Sequence, residues 1–176
     1  MPVARCAGVG FNRSAPSVNK KALVQKIIAQ LTAELALYAK AARAAHAEAT
    51  HEQNKAENKY DTRGLEASYL AHGQSKQAAE TEQAMQQFTA LVVRDFGPEE
   101  GIDLGALVEL EAKGERLFYF VGPRAGGTEV THDKKEILVI TPLSPLGRQL
   151  MGRKAGERLQ IEIGGTRQPY RVTAVW

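Results

Sequence analysis

Two stretches of this chain carry the same apolar rhythm, in alternating steps of four and three residues. The first reads Val24, Ile28, Leu31, Leu35, Tyr38, Ala42, Ala45 and Ala49. The second reads Ala67, Ala71, Gln74, Ala78, Thr81, Met85, Phe88 and Val92. This is heptad spacing, which makes two helices bury a shared seam. Folded back about Asn58, the stripes pair in antiparallel order: Val24 with Val92, Ile28 with Phe88, Leu31 with Met85, Leu35 with Thr81. Tyr38 with Ala78, Ala42 with Gln74, Ala45 with Ala71 and Ala49 with Ala67 follow. One turn satisfies all of these layers. Bulky residues fill the base and alanines the far half, so the finger narrows outward. At the helical rise, the limb from Val24 to the turn spans roughly 50 Å. A globular domain has no packing use for such a spike, so its role is to carry its tip to a partner.

Composition narrows the rest. The chain has 176 residues, of which 43% are hydrophobic and only 6% aromatic, which fits an Ala-rich hairpin with a small second domain. No stretch approaches the roughly 20 apolar residues that span a membrane. The lone Cys6 excludes an internal disulfide and a cysteine zinc site, and fits a reducing, cytoplasmic setting. Basic and acidic residues nearly balance, for a net charge of +3. Tight, independent DNA binding through phosphate contacts needs a stronger positive excess.

Residues 1–18 show no helical or strand periodicity and no secretory pattern, so they are expected to be a disordered leader, with the native start near Val18. The coiled-coil hairpin is expected over 19–95, from an Asn19 cap, with its tip near 58–64 and its second helix ending near Arg94. Gly73 inside that helix reads as a tolerated defect. FGPEEG at 96–101 is the expected linker. From 102 to 176 the pattern becomes extended: 104–110, 116–121, 136–141, 158–163 and 169–175 read as strands. SPLGRQLMG reads as one short helix, with Ser144 capping, Pro145 first and Gly152 just past the end. The fold class is therefore α+β, an antiparallel helical hairpin followed by a small, mainly antiparallel sheet domain with one helix.

The run ITPLSPLGRQLMGRKAGERLQI, with Ser144-Pro145, Gly152-Arg153 and Gly156-Glu157, is similar to the C-terminal signature of the bacterial GreA/GreB transcript cleavage factors. With the hairpin before it, the likeness covers about residues 19 to 176. The resemblance implies an FKBP-like C-terminal domain that docks on RNA polymerase, and a finger that enters the secondary channel. It implies stimulation of the polymerase's own cleavage of backtracked RNA, so the chain would be no enzyme by itself. Two tip carboxylates would share a magnesium ion with the polymerase, with no cofactor bound stably. Contact with the nascent RNA 3′ end would occur only within that complex, and the free chain would be a monomer.

The tip departs from the family pattern, in which an Asp stands three residues before a Glu. Here Asp61 and Glu66 are the best candidates for catalytic assistance and magnesium ligation, and they lie five apart in DTRGLEASY. Glu57 is a third acid, and Lys59 and Arg63 are placed to meet polymerase carboxylates or RNA phosphate. The alternative is that these acids are solvated helix-end charges, with Asp61 capping the second helix. A protein with such a tip would occupy the channel without supporting cleavage. Ser144, Pro145, Arg148, Arg153 and Lys154 are the candidate polymerase contacts, Ser144 being a helix cap rather than a nucleophile. With Arg158 they surround the short helix, either as a solvated basic face or as a contact for an acidic surface. His46, His51 and His72 on the finger lack zinc-site spacing. A prolyl isomerase role for the second domain is disfavoured by its few aromatics.

Overall fold

The computed structural model describes residues 18–50, 63–97, 99–163 and 165–176. Helix α1 spans Lys20–Thr50 and α2 spans Arg63–Thr89. Asn19 caps α1: its Oδ1 accepts from Ala22 N at 3.0 Å and its carbonyl from Leu23 N. The helices pack together along the stripes the heptads define. Val24, Leu31, Ala45, Ala67, Ala71, Thr81 and Phe88 are buried, and the intervening stripe members are half-buried. Thr32 Oγ1 lies 3.4 Å from Met85 Sδ, one position from the expected Leu31–Met85 layer. The turn itself falls outside the described residues.

One layer fails. Helix α2 stops at Thr89 rather than Arg94, and Val92 is 77% exposed, so it does not pair with Val24. The reason is a change of period. Leu91 and Val93 both pack on the core while Val92 points outward, an alternation of two suited to extended, β-branched backbone. The chain leaves the finger here and turns toward the sheet.

Six strands follow: β1 (Leu107–Ala112), β2 (Glu115–Val121), β3 (Glu129–His132), β4 (Lys135–Ile140), β5 (Arg158–Ile163) and β6 (Thr166–Val175). They lie in the order β3-β4-β2-β1-β6-β5, antiparallel except for the parallel β2–β4 pair. Strand β1 begins at Leu107 rather than 104, because Asp103 to Ala106 form a turn closed by Ala106 N to Asp103 O. The β1–β2 connection is two residues, Lys113 and Gly114, both with positive φ as a primed hairpin turn requires. Strand β3 is an addition to the five strands expected, too short at four residues to show its alternation.

The sheet is covered on both faces. On one, Leu107, Phe120, Val130, Ile137 and Val139 meet Leu23, Ile27, Leu31, Ala84 and Phe88 from the hairpin base. On the other, Val108, Leu110, Val121, Ile161 and Val172 meet Leu150 of the short helix α3 (Pro145–Leu150). Phe96, the first residue of the linker, and Ile102, just after it, are buried in that second cluster. The finger therefore does not swing from a loose tether. Its base is half of a core.

Candidate functional site

Three regions bear on function: the finger's far end, the α3 face, and the junction between hairpin and sheet. At the far end, Glu66 lies exposed in the first turn of α2, where a carboxylate complements the helix dipole. Asp61, Glu57, Lys59 and His51 lie outside the described residues, so Glu66 is the one tip acid with a defined place. Among the described residues no three His, Cys, Asp or Glu side chains converge on a metal position. Any magnesium at Glu66 would thus need ligands from elsewhere, as a shared ion does. His46 and His72 are both exposed, away from the helical seam.

The α3 face is built tightly. Ser144 Oγ accepts from Gly147 N at 3.0 Å and donates to Thr141 O at 2.7 Å, with Pro145 at the first helical position. A Cβ on Gly147 would lie 1.9 Å from Thr141 O, so only glycine lets the loop close so near the helix. Gln149 then ties α3 to β5: its Nε2 donates to Glu162 O and its Oε1 accepts from Glu162 N. Ile102 and the loop after α3 exchange backbone bonds, Ile102 N to Arg153 O and Gly152 N to Ile102 O.

Of the five candidate contact residues, Ser144 serves the loop and Pro145 is exposed beside it. Arg148 is exposed on α3. Arg153 pairs with Glu157 at 3.3 Å and Lys154 with Glu99 at 3.4 Å. Just before the cap, Leu143 is 77% exposed. It borders a cleft of about 850 Å³ between the sheet domain and the hairpin flank, whose opposite wall holds Tyr38, Glu34 and Glu80.

The junction contains a group that spacing alone did not single out. Lys20, the first residue of α1, is 3% exposed, and its Nζ donates to the Arg94 carbonyl. It sits 4.9 Å from the centre of the Phe96 ring and 3.9 Å from Asp95 Oδ1. Burial pulls its pKa down from 10.5 to about 8. The Asp95 carboxylate opposes that shift, and the Arg94 guanidinium adds a little to it. Arg94 stacks on the same ring at 4.1 Å. The start of the finger is thus clasped to the segment that leaves it.

A capped, glycine-tight helix on a small sheet, with a long paired-helix finger, defines the class. Residues 98–176 match the family model for the transcription elongation factor GreA/GreB C-terminal region. The Transcription inhibitor protein Gfh1 of Thermus aquaticus is 30% identical over 118 residues, covering 66% of this chain and 71% of that protein. A Thermus thermophilus protein of the same name is likewise 30% identical, with 66% and 72% covered. The chain belongs to the GreA/GreB family of transcription elongation factors. Among solved structures, Thermus aquaticus Gfh1 is 25% identical over 89% of this chain and 93% of its own, with a TM-score of 0.37. A GreA/GreB factor from Nitrosomonas europaea is 18% identical over 63% and 91%, with a TM-score of 0.33.

Proposed function

We propose that this protein acts on RNA polymerase in the cytoplasm. Its sheet domain, FKBP-like in the family's manner, docks through the Leu143–Arg148 loop and helix, and its finger occupies the secondary channel. The single observation that carries this reading is the finger anchored in the sheet's core. The helix pair is held at its base by Leu23, Ile27 and Phe88 on one face of the sheet, while α3 packs on the other.

What the tip does there has two readings. Occupancy without cleavage is favoured by the similarity to proteins named as transcription inhibitors, and by the five-residue spacing of Asp61 and Glu66. Stimulation of the polymerase's cleavage of backtracked RNA is favoured by a carboxylate, Glu66, in the first turn of α2. In that reading Asp61 and Glu66 would lend ligands to a magnesium ion held mainly by the polymerase, and the chain alone would cleave nothing.

The deciding experiment uses purified backtracked polymerase complexes with the wild-type protein and with Asp61→Ala and Glu66→Ala. The occupancy reading expects bound protein and slowed nucleotide addition, with no faster RNA cleavage. Acceleration that disappears in both variants would replace it with the cleavage reading. Absence of binding to polymerase would overturn both.

A further inference from the structure

We propose that the outer edge of β5 is a self-association surface for a second copy of this chain, with Gln149 as its latch. Strand β5 is the last in the sheet, so main-chain groups that point away from β6 have no strand beside them. Gln149 shows which groups these are. Its Oε1 accepts from Glu162 N at 3.0 Å and its Nε2 donates to Glu162 O at 3.3 Å, the bonds a neighbouring strand would make. Main-chain direction alternates along a strand, so the N–H and C=O of Arg158 and Gln160 point outward as well. Pro169 agrees: it lacks an N–H and stands opposite Gln160, where a pair that exchanges no bonds permits it. Alongside this edge, a cleft of about 660 Å³ separates Arg158, Leu159 and Gln160 from the end of α3.

The sequence of β5 is complementary to itself in reverse. With two copies antiparallel and centred on Gln160, Arg158 of each meets Glu162 of the other, and Leu159 meets Ile161. The outward-facing residues then all fall in pairs that exchange both main-chain bonds. Centring on Arg158 or on Glu162 instead would set like charges directly opposite. Arg158, Gln160 and Glu162 are exposed and Leu159 is half-buried, so a second strand can reach them. Arg158 also gains a counter-charge. Within its own sheet it stands opposite Arg171, and Glu162 of the second copy would lie on its free side.

The opposite edge of the sheet is better closed. Strand β3 is four residues long, and Lys26 Nζ from α1 donates to Thr131 O at 3.0 Å, features that discourage pairing. On β5 the guard is one neutral side chain, whose Nε2 also donates to Pro145 O at 2.8 Å. Turning Gln149 outward leaves the Ser144 cap of α3 intact and frees Glu162. Main-chain bonds then supply the affinity of the paired strands, and the Arg158–Glu162 pairs supply their register.

Sedimentation velocity of the full chain tests this without polymerase. Gln149→Ala should dimerise reversibly, with an association constant about tenfold or more above that of the wild type, because the competing bonds to Glu162 are lost. Adding Gln160→Pro should return it to monomer. The proline removes no bond to β6, so the fold should survive, as an unchanged circular dichroism spectrum would show. In the Gln149→Ala background, Arg158→Glu alone and Glu162→Arg alone should each be monomeric. Their equimolar mixture should form a heterodimer, with unlike charges in both pairs. Gln149→Ala no more associated than the wild type would refute the surface. So would association that survives Gln160→Pro, since it would come from a loosened α3 and not from the β5 edge. A mixture that stays monomeric would refute the register centred on Gln160.

Discussion

Gly122 and Phe88 offer a direct test of whether finger and sheet share one core. Phe88 comes from α2, is fully buried, and stacks on Phe120 of β2 with ring centres 6.3 Å apart. A Cβ at Gly122 would fall 2.6 Å from Phe88 Cζ and 2.9 Å from Val139 Cγ1. Gly122→Ala should therefore overpack the junction and destabilise by about 1–3 kcal/mol. Phe88→Leu removes the ring atoms that the new methyl would strike, at a cost of about 1–2 kcal/mol in lost packing. In the double variant the Phe88 clash is gone and the Val139 contact remains, so recovery is partial. The double variant should be more stable than the sum of single effects by about 1 kcal/mol. Urea unfolding followed by far-ultraviolet circular dichroism measures each corner of the cycle. Following Trp176 fluorescence as well reports on the sheet, and the two probes should give one coincident transition. Additive effects, or a finger that melts separately from the sheet, would refute the shared core.

Three other outcomes follow from the described geometry. With its folded pKa near 8 and its unfolded value near 10.5, Lys20 leaves the unfolded chain holding more protons between those values. Stability should then rise as pH increases from 8 toward 9.5, by up to about 2 kcal/mol, and the rise should vanish in Lys20→Met. Urea midpoints below pH 10 check this, since buried Tyr119, with its raised pKa, acts in the opposite sense above that point. Ser144→Ala should cost about 1 kcal/mol by removing the α3 cap, and Gly147→Ala should cost more by driving a methyl into Thr141 O; equal losses would discredit the close approach. Amide exchange should be faster at 42–50 and 63–74 than at 23–31 and 81–88, because Ala45, Ala67 and Ala71 bury little apolar area even when enclosed. Uniform protection along the finger would contradict the taper.

The parts of the fold that were legible in the sequence are those governed by local periodicity or by a cap. The seam from Val24 to Ala49 shows itself by heptads alone, and α3 by Ser144, Pro145 and Gly152, which each sit where capping chemistry requires. The end of α2 was not legible, because Val92 continues the heptad numerically while the backbone has already turned toward the sheet. Strand β3 and the parallel β2–β4 pairing depend on long-range partners that spacing does not reveal. Burial of Lys20 is of the same kind. At the start of a helix a lysine reads as solvated, and only the return of Arg94 to Phe96 encloses it. At the site, the cap pattern and the resemblance singled out the residues around α3, but the pairing of Arg153 with Glu157 and of Lys154 with Glu99 could not be read before the linker and the loop after α3 were in place.

The shared core also makes the finger a lever. Over the 31 residues of α1, about 46 Å of helix, a tilt of about five degrees at the base displaces the far end by about 4 Å. Side-chain volume at Leu23, Ile27 and Phe88 therefore sets aim as well as stability. Relatives that differ there could point an identical tip at different targets, without a single change near the tip itself.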